Sequence, residues 1–233
     1  FLIMGLITVT NLETFTNNGN SGATSFSTSS LTPSPNRVML IAMATQVASG
    51  TPNAPTCTLA GWTFSQIRSV VFGTSRRITL FTAIGTGNGA ILFDFAGQGQ
   101  QIFSWSVVQC RNVNTRGTGG SNAAVQSAEN SASSGATSYT VTLAAFASAS
   151  NGVFSCVAKP ATNNVSPNAG YTELGESSAS GPTWDIESMW RDDNNTTPGA
   201  SFIGSGGDTY GAIAVELAYA PEPGGAGLFP VLF

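Results

Sequence analysis

The sequence predicts an all-β fold: a single β-sandwich of jelly-roll type, with an extended apolar arm at each end. Three observations carry that reading. Apolar and polar residues alternate with period two along much of the chain, as where Ile102, Ser104, Ser106 and Val108 interleave with Phe103, Trp105, Val107 and Gln109. Such alternation sends successive side chains to opposite faces of a sheet. Between these runs lie clusters of turn formers, among them Asn17-Asn18-Gly19-Asn20, Gly85-Thr86-Gly87-Asn88-Gly89, Gly117-Thr118-Gly119-Gly120 and Ser133-Ser134-Gly135. They supply the left-handed positions that tight β connections need. No stretch combines helical spacing with good helix formers over a dozen residues; Ala144–Ala149 allows one short turn.

Taken in order, the elements begin with Phe1-Leu2-Ile3-Met4-Gly5-Leu6-Ile7, an apolar run assigned to an amino-terminal arm or strand over residues 1–10. The run is far short of the ~20 residues a membrane-spanning helix needs. It also lacks the basic start of a secretory signal. The sandwich body is assigned to residues 11–219, with strands near 37–46, 62–72, 76–84, 90–95, 101–109, 138–143, 152–158, 183–190 and 209–219. Val38 to Ala44 is apolar on both faces and belongs at the centre of a sheet. No internal repeat is evident in the sequence. Residues 220–233 hold a stiff-then-flexible linker, Pro221-Glu222-Pro223-Gly224-Gly225, and then a second apolar arm. The arms either tuck back onto their own sandwich or bury themselves against a neighbour, since an exposed apolar tail favours aggregation.

Composition removes whole classes of function. Charged residues make up 9 % of the chain, against about 25 % in a typical soluble domain. With 41 % hydrophobic residues the chain is nonetheless too apolar to be disordered. A net charge of −4 offers no attractive field for phosphates, so nucleic acid is not an expected partner. There is no histidine, which excludes a Ser-His-Asp triad, a Cys-His pair and the usual zinc sites. The three cysteines Cys57, Cys110 and Cys156 sit in apolar stretches and are expected to be buried thiols rather than one disulfide and a spare.

Carboxylates are the acid–base groups that remain. Glu173 and Glu176 flank an expected turn, Asp94 lies in Phe93-Asp94-Phe95, and Asp185 and Glu187 alternate along one strand. A carboxylate pair could cleave a glycosidic bond, but this i, i+2 spacing reads first as the solvated face of a strand. Asp192-Asp193-Asn194-Asn195 offers oxygen ligands of the kind Ca²⁺ takes, without the spacing of an EF-hand. Trp184 and Trp190, with polar neighbours, are the candidate glycan-stacking residues, whereas Trp105 reads as core.

Several segments resemble a loosely defined group of β-sandwich proteins encoded by tailed phages and bacterial genomes. They are Gly61-Trp62-Thr63, Arg76-Arg77-Ile78-Thr79-Leu80, Phe93-Asp94-Phe95, Trp105-Ser106-Val107-Val108, Gly170-Tyr171-Thr172-Glu173-Leu174-Gly175 and Gly211-Ala212-Ile213-Ala214-Val215-Glu216-Leu217. The resemblance spans roughly residues 35–220, and its motifs are structural rather than catalytic. It implies jelly-roll-like architecture and association with a virion.

The resulting expectation is a non-enzymatic structural protein of a self-assembling particle: a phage capsid decoration or tail component, assembled in the host cytoplasm. Neighbours would be held through Phe1, Leu2, Ile3, Leu6, Ile7, Leu228, Phe229, Val231, Leu232 and Phe233. Its partners would be copies of itself or other virion subunits, with no cofactor, metal or membrane span. The alternatives are an extracellular filament subunit assembled by strand donation, and a displayed carbohydrate-binding module for surface glycans.

Overall fold

A computed structural model describes residues 7–17, 22–204 and 207–222. The first half of the chain forms eight strands: β1 Thr8–Asn17, β2 Ser25–Ser27, β3 Val38–Gln46, β4 Thr56–Thr58, β5 Trp62–Phe72, β6 Arg76–Gly85, β7 Leu92–Asp94 and β8 Ile102–Arg111. The second half forms eight more: β9 Ala124–Ala136, β10 Ser138–Thr140, β11 Gly152–Lys159, β12 Val165–Pro167, β13 Thr172–Ser180, β14 Thr183–Arg191, β15 Gly199–Phe202 and β16 Asp208–Leu217. A short 3₁₀ segment, Thr118–Ala123, joins the halves.

The two halves have the same topology. The first builds a five-stranded sheet in the order β1-β8-β3-β6-β5 and a three-stranded sheet in the order β2-β7-β4. Adding eight to each label reproduces the second half: β9-β16-β11-β14-β13 and β10-β15-β12. The expected all-β sandwich is present, but an internal duplication that the sequence did not suggest underlies it. A jelly roll would pair the fifth strand of each set with the fourth. Here it pairs with the sixth, and does so in both halves. Local sequence echoes the duplication at one point. Ala60-Gly61-Trp62-Thr63 enters β5 and Ala169-Gly170-Tyr171-Thr172 enters β13. Both glycines adopt the left-handed backbone, with φ of 79° and 87°, which a side chain disfavours. A Cβ on Gly61 would also strike the Thr86 carbonyl.

The two large sheets face each other across the inner core, where Leu40, Ile78, Leu80 and Val108 meet Phe154, Trp184, Ile186 and Val215. The outer face of each large sheet is covered by its own three-stranded sheet. Over the first lies an aromatic and methionine layer built from Phe26, Met39, Ile41, Phe93, Phe95 and Phe103. Over the second lie Tyr139, Val157, Met189, Phe202 and Tyr210. The central strands β3 and β8 are therefore buried on both faces, as the unbroken apolar run from Val38 to Ala44 predicts.

The edges meet reciprocally, as in a two-fold pair where each copy's surface contacts the other's: β1 packs on β13, and β9 packs on β5. Thr16 Oγ1 donates to the Ser177 carbonyl at 3.0 Å on one side. On the other, the Arg68 guanidinium donates to Ser127 Oγ, the Ser127 carbonyl and Glu129 Oε2. The segments following β8 and β16 pair through the bridge Val113–Tyr219, so equivalent places in the two halves touch. Charge is divided between them. The first half carries six of the eight basic residues, and the second carries ten of the twelve acidic ones. Among the described residues three ion pairs link the halves, Arg37–Glu222, Arg111–Glu222 and Arg68–Glu129.

Several expectations need correction. The arm assigned to residues 1–10 ends earlier, because Thr8 to Thr10 already pair with Arg111 to Gln109 on β8. Ile7 is fully enclosed in the inner core of its own chain, and its N–H donates to Asp192 Oδ1 at 3.1 Å. Ala144–Ala149 holds no helical turn, and Glu173 and Glu176 lie within β13 rather than around a turn. The expected assembly residues Phe1, Leu2, Ile3, Leu6, Leu228, Phe229, Val231, Leu232 and Phe233 lie outside the described residues.

Candidate functional site

The layer between the second large sheet and its three-stranded cover contains what the matching layer of the first half does not: buried charge. Lys159, at the end of β11, stands directly opposite Asp185 on β14. Glu187 follows two residues along the same face, and its neighbour across to β13 is Glu176. Lys159 is fully enclosed, and Asp185 and Glu187 are each 1 % exposed. The expectation that these two acids form a solvated strand face is thus wrong. A three-stranded sheet covers that face, and Phe202 of β15 closes over the lysine with its ring centroid 5.6 Å from Nζ. In the first half the corresponding layer holds Met39, Ile41, Met43, Phe81 and Ala83.

The cluster is incompletely paired. Lys159 Nζ lies 3.2 Å from Asp185 Oδ2 and donates to Asn163, reaching its backbone carbonyl and, at 3.1 Å, its Oδ1. Neither carboxylate oxygen of Asp185 or of Glu187 has a hydrogen-bond partner of normal geometry, nor does Asn163 Nδ2. Buried polar groups are ordinarily satisfied, so four vacant atoms beside the Lys159–Asp185 ion pair are exceptional. Burial pushes the Asp185 carboxyl up to about 8, with Glu176 adding to the rise and Lys159 opposing it. Burial likewise pushes Glu187 up to about 9, reinforced by Glu173, Glu176 and Asp185 and opposed by Lys159. Tyr139, fully enclosed beside them with its hydroxyl 3.2 Å from Ser155 Oγ, is held well above its ordinary value, chiefly by burial. Glu173 at the sheet edge is exposed.

A second feature lies at the end of the sandwich where β1 begins and β8 ends. Residues 34–37, 112–116 and 220–222, with Cys110, line a surface cavity of about 710 Å³. Glu222 is held there by Arg37 Nε at 2.8 Å and Arg111 Nε at 3.2 Å. Arg111 is also the backbone partner of Thr8. The points from which residues 1–6 and 223–233 extend are therefore neighbours at one pole.

The remaining expected residues fall elsewhere. Trp184 is fully buried between the sheets, with its ring 6.2 Å from that of Phe72, so it offers no stacking face to a glycan. Trp190 is half-buried and packs against the same inner core. The oxygens of Asp192-Asp193-Asn194-Asn195 mostly serve the chain itself: Asp192 accepts from Ile7, Asp193 from Arg191 and the Asn195 N–H, and Asn195 from the Tyr171 hydroxyl. Among the described residues no group of three or more acids or cysteines is arranged to hold a metal ion, and no helix is long and apolar enough to cross a membrane. The three cysteines are free thiols, each pushed up to about 12 by burial. Compared with protein-family models, with curated proteins and with solved structures, the chain matches none significantly.

Proposed function

We propose that the chain is a non-enzymatic structural subunit of a self-assembling particle, a phage virion component such as a capsid decoration or tail protein. In this reading the two apolar terminal segments hold its neighbours. The observation that carries it is the convergence of both attachment points on one pole. Thr8 pairs with Arg111, and Arg111 in turn binds Glu222. Apolar residues from both ends of the chain can then act on one interface, and several large side chains at about 1.5–3 kcal/mol each outweigh the ordering of short arms. The sandwich supports the role as a rigid spacer, with its sheet edges bonded to one another across the halves.

Truncation tests the proposal. Because Ile7 is core, the informative deletions are residues 1–6 and residues 223–233. Each should leave the far-ultraviolet spectrum and the cooperative melt unchanged while abolishing the particles or filaments that the full chain forms under the electron microscope. Normal assembly by both truncated chains would refute it.

A further inference from the structure

Lys159 is the chain's one lysine, and it is sealed in a layer where its ammonium costs several kcal/mol of lost hydration. Ion pairs persist in such places when their remaining lone pairs and protons are satisfied. That condition fails here. The ammonium is held between Asn163 and Asp185 Oδ2, yet Asp185 Oδ1 and both oxygens of Glu187 lack hydrogen-bond partners. Among the described residues of the first half no charged side chain is buried, so the fold does not require one. With the side chains enclosed, the reaction partners within reach are one another.

We propose that Lys159 and Asp185 condense within the folded chain to an intramolecular isopeptide bond. The pair is set up for it. The residues are directly opposed on adjacent antiparallel strands, and Nζ already lies 3.2 Å from the carboxyl oxygen. Transfer of one proton from the ammonium to the Asp185 carboxylate gives an amine with a free electron pair and a neutral acid. The Nζ lone pair then attacks Cγ and forms the C–N bond. One proton passes from the nitrogen to the departing hydroxyl as the C–O bond breaks. One amide and one water are produced. Nothing is oxidised or reduced, and no outside reactant enters. The product replaces two buried charges with one neutral amide, which removes the desolvation penalty that the ion pair carries.

The measurement is the intact mass of the folded, full-length chain after denaturation. The expected value lies one water molecule below the sequence mass, and digestion should yield a branched peptide joining β11 to β14. Lys159→Ala and Asp185→Ala should each restore the full sequence mass. Asp185→Asn should form the same bond with loss of one ammonia instead of water. Full sequence mass in the folded wild-type chain overturns the proposal without recourse to any variant. A mass deficit that survives Lys159→Ala overturns it equally.

Discussion

The indole N–H of Trp184, on the second large sheet, donates to the Ser104 hydroxyl of the first at 2.8 Å. A parallel bond joins the Ser106 and Ser188 hydroxyls at 2.6 Å. These bonds fix the register of two sheets that apolar contact alone would allow to slide. Trp184→Phe keeps most of the ring but removes the donor, and should cost about 1–3 kcal/mol. Trp184→Ala should cost about 3–5 kcal/mol through the cavity it leaves. Denaturant unfolding distinguishes the two, and neither variant should alter binding to any glycan.

Stability should fall as pH rises. The Glu187 carboxyl is raised in the folded chain to about 9 by burial and by Glu173, Glu176 and Asp185, against the opposing Lys159. Unfolded, it titrates near 4.3. Between those values the folded state binds the extra proton, so its stability is greatest below the unfolded value and is lost toward the folded one. Denaturation midpoints at pH 5 and pH 9 should differ by the equivalent of a few kcal/mol. Glu187→Gln should flatten the difference and be the more stable chain at pH 9.

Thiol reactivity should report the closed layers. Alkylation of the native protein at pH 8 should leave Cys110 and Cys156 unmodified, since both are buried and burial holds both thiols near 12. Unfolding without reductant should expose three labelled sites, counted by mass spectrometry. A single labelled site would indicate a disulfide.

Glu222→Ala removes two half-exposed ion pairs and should cost no more than about 1 kcal/mol in fold stability. Its effect on assembly should be larger, because it frees the carboxy-terminal attachment from Arg37 and Arg111. A light-scattering titration of assembly against concentration separates the two effects.

The halves should not fold alone. The inner core is made by both sheets together, so a fragment ending at Gly117 and another starting at Thr118 should each lack a cooperative melt. Mixed, they should recover one, aided by their opposite charge. A cooperative melt from either fragment alone would contradict this.

Much of the fold was legible in the sequence where strands are buried. The nine expected runs all fall on strands, because central strands such as β3 and β8 must be apolar or alternating. The strands that escaped notice are of two kinds. The edge strands β9 and β13, Ala124–Ala136 and Thr172–Ser180, and the part of edge strand β1 beyond Thr10 are polar because half their surface faces water. The covers β2, β4, β12 and β15 are too short for periodicity to register. The duplication left one visible trace, the Ala-Gly-aromatic-Thr entry to β5 and β13, and a second in the unequal charge of the halves. The buried cluster was hidden by its own spacing. Asp185 and Glu187 alternate as solvent-facing acids would, and the sequence does not reveal that another sheet lies on top of them. Arg111 shows the same limit, since its link to both Thr8 and Glu222 depends on long-range pairing.

A pair of identical units related by a two-fold axis has no front and no back, and whatever it offers to a neighbour it offers twice. This chain fuses two such units and then makes them unlike: a basic half over an aromatic layer, an acidic half over a buried lysine, and Thr8 and Glu222 drawn to one pole by Arg111. The fused pair therefore has direction. Its net-basic half and its net-acidic half are not interchangeable, so any surface that meets the chain meets two different ends.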